Sequence, residues 1–271
     1  MAIGMEAASL EITLRTAACS ERGGRPRNED SCAYAASGRR GAWIVADGLG
    51  GMAGGDLASG FAAEYIKARA AELEDFGEAS LLRLLAEANR ALADEQRRRK
   101  MERGMRTTVV AAFADCGAFS SVHLGDSRLY YFRGGEILHQ SRDHSMSQAA
   151  VDLGEIAPQD IRFHEDRSRV LRVLGNDGDP RVDTPIFTES IKPGDAFLLC
   201  SDGFWEPIFE HEMTACLKRA GDPQGWLDAM LDILRGRQTD SSDNYTAVCC
   251  MAGGGQMQRG GLFLDSGTGP E

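Results

Sequence analysis

The chain has 271 residues, 42% of them apolar, and carries a net charge of −11 from 30 basic and 41 acidic side chains. That acidity argues against nucleic acid or an anionic membrane surface as the main partner, because both demand a basic face. No run approaches the roughly 18–20 apolar residues of a membrane helix, and the length suits one large domain or two small ones.

Met1 to Ser9 carries neither a basic region nor a long apolar core, so it does not read as a secretory signal. Leu10, Ile12 and Leu14 alternate with polar residues and predict a half-buried strand before Cys19. A polar loop, Ser20 to Arg27, leads into Asn28-Glu29-Asp30-Ser31 and a second short strand through Cys32 and Tyr34. The turn Ser37-Gly38-Arg39-Arg40 returns the chain into a strand over Ala42 to Ala46, which ends in Asp47 and drops into Gly48-Leu49-Gly50-Gly51. Glycines at such a point let the backbone approach a ligand that side chains would block.

Leu57 to Ala71 reads as a helix with Phe61, Tyr65 and Ala68 on one stripe. A second helix runs from about Glu78 to Arg103, with Leu81, Leu85, Ala88 and Leu92 at helical spacing. Its basic end, Arg97-Arg98-Arg99-Lys100, reads as a solvated helix terminus where positive charge is favourable. Four short strands follow: Thr107 to Ala114, Ala118 to Leu124, Leu129 to Phe132 and Glu136 to His139. Asp115-Cys116-Gly117 and Arg133-Gly134-Gly135 read as hairpin turns, so these strands belong to an antiparallel sheet.

From Asp143 to about Gly178 the chain is polar, with helical pieces expected at Met146–Leu153 and Arg167–Leu174. Excursions of that length from a compact sheet are commonly lids or flaps. Strands return at Val182 to Thr188 and Ala196 to Cys200, then helices at Glu210 to Ala220 and Pro223 to Arg237, the latter capped by Asp222-Pro223. A last strand spans Tyr245 to Met251, and residues 253–271 form a glycine-rich tail expected to be loosely ordered. No repeat or linker divides the chain, so residues 1–252 read as one domain. The seven cysteines (Cys19, Cys32, Cys116, Cys200, Cys216, Cys249, Cys250) contain no CxxC pair and lie mostly in apolar runs, as reduced thiols of a cytoplasmic protein do.

Four acidic stations, Asp30, Asp47, Asp202 and Asp243, each sit where a strand meets a loop. A single Asp there is most often a turn or cap residue. Four in glycine-flanked settings, with an arginine upstream of the first, fit a site for hard divalent cations, which take oxygen ligands and retain waters. Two ions bridged by one carboxylate activate a shared water and neutralise phosphoryl oxygens.

These residues carry a resemblance. Arg25-x-x-Asn28-Glu29-Asp30, Asp47-Gly48-x-Gly50-Gly51, Gly104-x-x-Thr107-Thr108, Gly125-Asp126-Ser127-Arg128, Asp143-His144-Ser145, Ser201-Asp202-Gly203 and Asp243-Asn244 occur in order. Together they resemble the motifs of the metal-dependent serine/threonine protein phosphatases, the type 2C family, in compact bacterial form, over about residues 10 to 251. The resemblance implies an α+β fold: a four-layer αββα sandwich of two face-to-face antiparallel sheets with helices on both outer faces, plus a flap at about 143–180. It implies a catalytic domain using two Mg²⁺ or Mn²⁺ ions, with a third, weaker site. By position, Asp47 would bridge both ions, the Gly48 carbonyl would bind one, and Asp202 and Asp243 the other. Asp126 would share the third ion with Asp202. Asp30, supported by Glu29, would hold ion-bound waters, and Arg25 would clamp phosphate, with Arg27 the competing candidate.

The implied activity is hydrolysis of phosphoserine and phosphothreonine on proteins by direct attack of water, without a phosphoenzyme. The opponent would be a serine/threonine kinase, with secretion or envelope regulation suggested by family analogy; a cytoplasmic monomer is expected. Two positions depart from the pattern: Leu49 and Met52 stand where relatives often carry histidine, and at 49 that histidine is a proposed proton donor. His144 and His123 read as structural residues, and Trp205 as a core anchor. The rival readings are a non-catalytic phosphoprotein-binding scaffold of the same fold and a two-metal phosphodiesterase.

Overall fold

The computed structural model describes residues 11–37, 40–50, 54–101, 104–176 and 186–255. Eleven strands are described: β1 (Glu11–Glu21), β2 (Asp30–Ser37), β3 (Arg40–Leu49), β4 (Arg106–Thr107), β5 (Val109–Asp115), β6 (Ala118–Leu124), β7 (Arg128–Arg133), β8 (Glu136–Gln140), β9 (Phe187–Ser190), β10 (Ala196–Cys200) and β11 (Tyr245–Gly255). The helices are α1 (Gly55–Ala70), α2 (Glu78–Arg99), α3 (Met146–Asp152), α4 (Asp202–Trp205), α5 (Glu210–Arg219) and α6 (Pro223–Arg235), with a 3₁₀ turn at Pro158–Phe163.

The strands form two antiparallel sheets, ordered β1-β11-β10-β7-β8 and β2-β3-β5-β6-β9, with β4 paired to the end of β3. Central strands are buried on both faces, so they read as unbroken apolar runs and the period of two appears only in what each side chain meets. In β10, Phe197 and Leu199 enter the layer between the sheets with Trp43, Val45, Val110, Tyr131 and Val248. Ala196, Leu198 and Cys200 face α5 and α6 across Trp226, Leu227 and Met230. In β3, Ile44 and Ala46 face α1 and α2 across Ala62, Ile66, Leu85 and Leu92. The result is the expected αββα sandwich.

Several boundaries depart from the expectation. Asp47 and Gly48 lie inside β3, which continues to Leu49 because β4 supplies it a second partner, Gly48 opposite Thr107. The buried face of α1 is Ala58, Ala62, Ala63, Ile66 and Ala70; Ala68 is exposed, while Phe61 and Tyr65 stack on each other at its flank. Small residues win that face because α1 lies close against β2 and β3 and is also crossed by α2. Helix α2 stops at Arg99, where Lys100 takes a left-handed cap conformation, and its terminal arginines pair back onto Asp94 and Glu95.

No helix forms at 167–174. Residues 165–168 make a turn, and beyond it Val170 bridges to Ser145 and Leu174 to Thr107, so residues 170–174 are held by main-chain pairing. Strand β9 starts at Phe187, with residues 177–185 outside the described set, and β11 runs to Gly255, four residues beyond Met251. Most of the expected tail, residues 256–271, and Met52 and Gly51 also lie outside the described residues. No disulfide forms among the described residues, and Cys116, in the β5–β6 turn, is exposed rather than buried.

Candidate active site

The acidic stations gather at one end of the sandwich. Asp30 and Asp47 are directly opposite each other on β2 and β3, Asp126 sits in the turn between β6 and β7, Asp202 opens α4 after β10, and Asp243 precedes β11. Asp47, Gly48, Asp126, Asp202 and Asp243 line one cleft of about 690 Å³ with Arg25, Arg27, Glu29, Leu49, Asn244 and, from the flap, Ser168 and Val170. Asp30 lies beneath it, buried, accepting a hydrogen bond from Ser201 Oγ at 2.6 Å.

The backbone around Asp47 is fixed by two threonines. Thr107 Oγ1 and Thr108 N both donate to the Asp47 carbonyl at 2.8 Å, while the Asp47 amide donates to Thr108 Oγ1 at 3.0 Å. Gly48 N donates to Glu29 O, and a Cβ on Gly48 would lie 2.2 Å from Gly55 O, so only glycine fits between these chains. Gly50 is likewise required by packing, with φ +145° and a Cβ position 1.9 Å from Gly104 O, rather than by access for a bulky substrate.

Asn244 organises the other wall. Its Nδ2 donates to Arg22 O and Arg27 O, and its Oδ1 accepts from Glu29 N, all at 2.8 Å. The arginine loop and the Asn28-Glu29-Asp30 turn are thereby tied to the start of β11. Arg25 Nη2 donates to Asp243 Oδ2 at 2.8 Å, and both side chains are about half exposed, at 54% and 44%. Arg27 lines the same cleft.

Burial, then mutual repulsion, dominates the electrostatics. Burial pushes Asp47 well above the ordinary carboxylate range, and Asp30, Asp202, Asp126 and Asp243 push it further. Asp202 is raised well above that range for the same reason, with Asp126 and Glu206 the largest charges beside it. Burial raises Asp126 to about 7, with Asp143 adding to it, and raises Asp30 to about 6 against the lowering bond from Ser201. Asp126 Oδ1 is buried without a hydrogen-bond partner.

His144 and His123 stand outside the cleft. His144 Nδ1 accepts from Gly125 N at 3.3 Å, and its ring stacks on His123 at 4.7 Å. These contacts hold the two rings together beside the β6–β7 turn. Among the described residues lining the cleft there is no histidine, so Leu49 has no neighbouring imidazole in place of a proton donor. Trp205 is a core residue, 2% exposed, whose Nε1 donates to Asp126 O.

Sequence reasoning missed Glu206, four residues beyond Asp202 and half-buried beside the acids. Finding it required recognising Ser-Asp-Gly as a helix start, since α4 puts residues four apart on one face. It also missed the buried Arg128–Asp143 pair, bidentate at 2.8 Å, although both residues belong to the quoted motifs.

The model of the protein phosphatase 2C family matches residues 20–242. The chain belongs to the protein phosphatase 2C family. It is 34% identical over 217 residues to the serine/threonine protein phosphatase PstP of Mycobacterium tuberculosis, covering 78% of this chain and 40% of that protein. This phosphatase 2C chain thus spans less than half the length of that relative. Among solved structures, the catalytic domain of PstP in complex with two manganese ions is 30% identical, with TM-score 0.72, covering 89% of this chain and 99% of that one. PppA, described as a key regulatory component of T6SS in Pseudomonas aeruginosa, is 29% identical, with TM-score 0.71, covering 88% and 97%.

The residues present fit Mg²⁺ or Mn²⁺. The donors are all oxygen, they repel one another, and the orphaned Asp126 oxygen has no proton donor to satisfy it. Among the described residues no three His, Cys, Asp or Glu side chains close on one point as a preformed cage. Such ions keep several waters and need only one or two carboxylates each, so an open arrangement suits them.

Proposed function

We propose that this chain hydrolyses phosphoserine and phosphothreonine esters on proteins, with residues 1–252 as its catalytic domain. One observation carries the reading: five carboxylates from five separate segments and two arginines line a single cleft. When bound, Mg²⁺ or Mn²⁺ supplies the positive charge that activates water and neutralises phosphoryl oxygens. Asp47 and the Gly48 carbonyl, with Asp202 and Asp243, would hold two ions, Asp126 and Asp202 a third. Asp30 and Glu29 would order the waters beneath. Arg25 would receive the phosphate: its pair with Asp243 is half exposed and worth at most about 1 kcal/mol, so a dianion would compete for it readily, and its planar fork suits two phosphate oxygens. The flap residues Ser168 and Val170 would lie against the substrate chain.

A serine/threonine kinase is the enzyme class that must supply such a substrate, and we infer a monomer acting in the cytoplasm. Among the described residues no helix is long and apolar enough to cross a membrane. A role in secretion has the likeness to PppA in its support. The test is hydrolysis of a phosphothreonine peptide and of a phosphodiester with and without Mn²⁺, for wild type, Asp47→Asn and Asp243→Asn. We expect Mn²⁺-dependent cleavage of the peptide alone, and losses in each variant beyond the roughly 10–100-fold typical of groups that merely orient ligands. Activity surviving both substitutions would overturn the site. Binding of phosphopeptide with no turnover would favour a scaffold.

A further inference from the structure

Asp202 stands at the first position of α4, a helix of only four residues. So short a helix has no stability of its own, and its last carbonyls lack intrahelical partners. What holds it is an arginine from the flap. Arg162, in the 3₁₀ turn, does not line the cleft, and its side chain is 4% exposed. Its Nη1 donates to the carbonyls of Trp205, Glu206 and Ile208, each at 3.1 Å. With two hydrogens for three acceptors, one N–H is shared. Its Nη2 meets both Glu210 oxygens at 2.7 Å, which balances the buried charge. The restraint continues through Trp205. The residue whose carbonyl Arg162 holds also donates its indole N–H to Asp126 O at 2.9 Å, and the indole ring is clamped by the Arg128 guanidinium at 3.4 Å.

We propose that Arg162 is a positioning residue that sets the placement of Asp126 and Asp202 relative to each other, and so the affinity of the metal they hold. Capping the end of α4 fixes Asp202. Fixing Trp205 in the same contact fixes Asp126 through the indole bond. The flap thereby tunes the metal site from outside the cleft, through a side chain that touches neither ion nor substrate. This inference rests on reading the cleft as a metal site.

The test is calorimetric titration of the full-length chain with Mn²⁺ alone. Wild type comes first: absence of Mn²⁺ binding there overturns the metal reading and this inference with it. Arg162→Met, which keeps much of the volume and removes every donor, is expected to weaken Mn²⁺ binding about tenfold, with Arg162→Lys recovering part of the loss. Trp205→Phe, which deletes the indole N–H, is expected to weaken binding as well. In an Asp126→Ala background the Trp205→Phe step should fall below twofold and the Arg162→Met step should shrink, a non-additivity that a general loss of stability does not produce. Should Arg162→Met fail to fold, Arg162→Lys and Trp205→Phe carry the result. Wild-type affinity in the folded variants, or losses of the same size without Asp126, would overturn the proposal.

Discussion

At the scale of single residues, the site depends as much on what fixes the acids as on the acids themselves. Asn244 is buried and makes three hydrogen bonds that join the arginine loop to β11. Asn244→Ala leaves those groups without partners, at roughly 1 kcal/mol per bond, so urea unfolding should register a loss of about 3 kcal/mol. His144 makes a prediction in pH. Burial lowers its pKa from the ordinary 6.5 to about 3, with the neighbouring His123 and Arg172 opposing the charged form as well. A lowered folded-state pKa means the neutral ring is the one that fits. Its contribution is full above pH 6.5 and is lost as pH falls from 6.5 towards 3. The melting temperature of wild type should therefore drop more steeply between pH 7 and 4 than that of His144→Gln, which keeps an acceptor for Gly125 N. Parallel pH profiles would refute this. Of these residues, the motifs made Asp30, Asp47, Asp126, Asp202 and Asp243 legible in the sequence. The Arg25–Asp243 pair was not, because two residues 218 positions apart carry no local pattern that would join them.

At the scale of elements, strand pairing positions the carboxylates and the flap fastens to them. The opposition of Asp30 and Asp47 follows from the β2–β3 register, which runs without a shift from that pair to Ser37 opposite Arg40. The apolar pattern located β3 well, as an unbroken run, since a central strand in a sandwich has little freedom in what it buries. It failed at 167–174, where leucine and valine at helical spacing instead bond to Thr107 and Ser145, a tertiary contact that local pattern does not contain. It also missed α4, which is too short to have a period. The flap base is anchored by Asp143, whose carboxylate takes both Nε and Nη2 of Arg128 at 2.8 Å with both side chains buried. Asp143→Ala leaves the buried Arg128 guanidinium with only the more distant Glu210 carboxylate, at 3.7 Å, so it should cost about 3 kcal/mol in denaturant unfolding. A loss under 1 kcal/mol would mean that the pair does not anchor the flap.

At the scale of the whole molecule, two sheets and two helical layers converge on one acidic end, and a net charge of −11 is partly the signature of that end. Charges of one sign packed this closely are a fold-level strain that divalent cations relieve, which explains why a stable sandwich keeps them. The most direct test is a crystal of this chain soaked in Mn²⁺ and measured for anomalous scattering. We predict two strong peaks in the cleft, both within ligand distance of Asp47, with Asp202 and Asp243 on one of them. Peaks elsewhere, or a cleft empty of manganese while Asp47 keeps its present surroundings, would contradict the account.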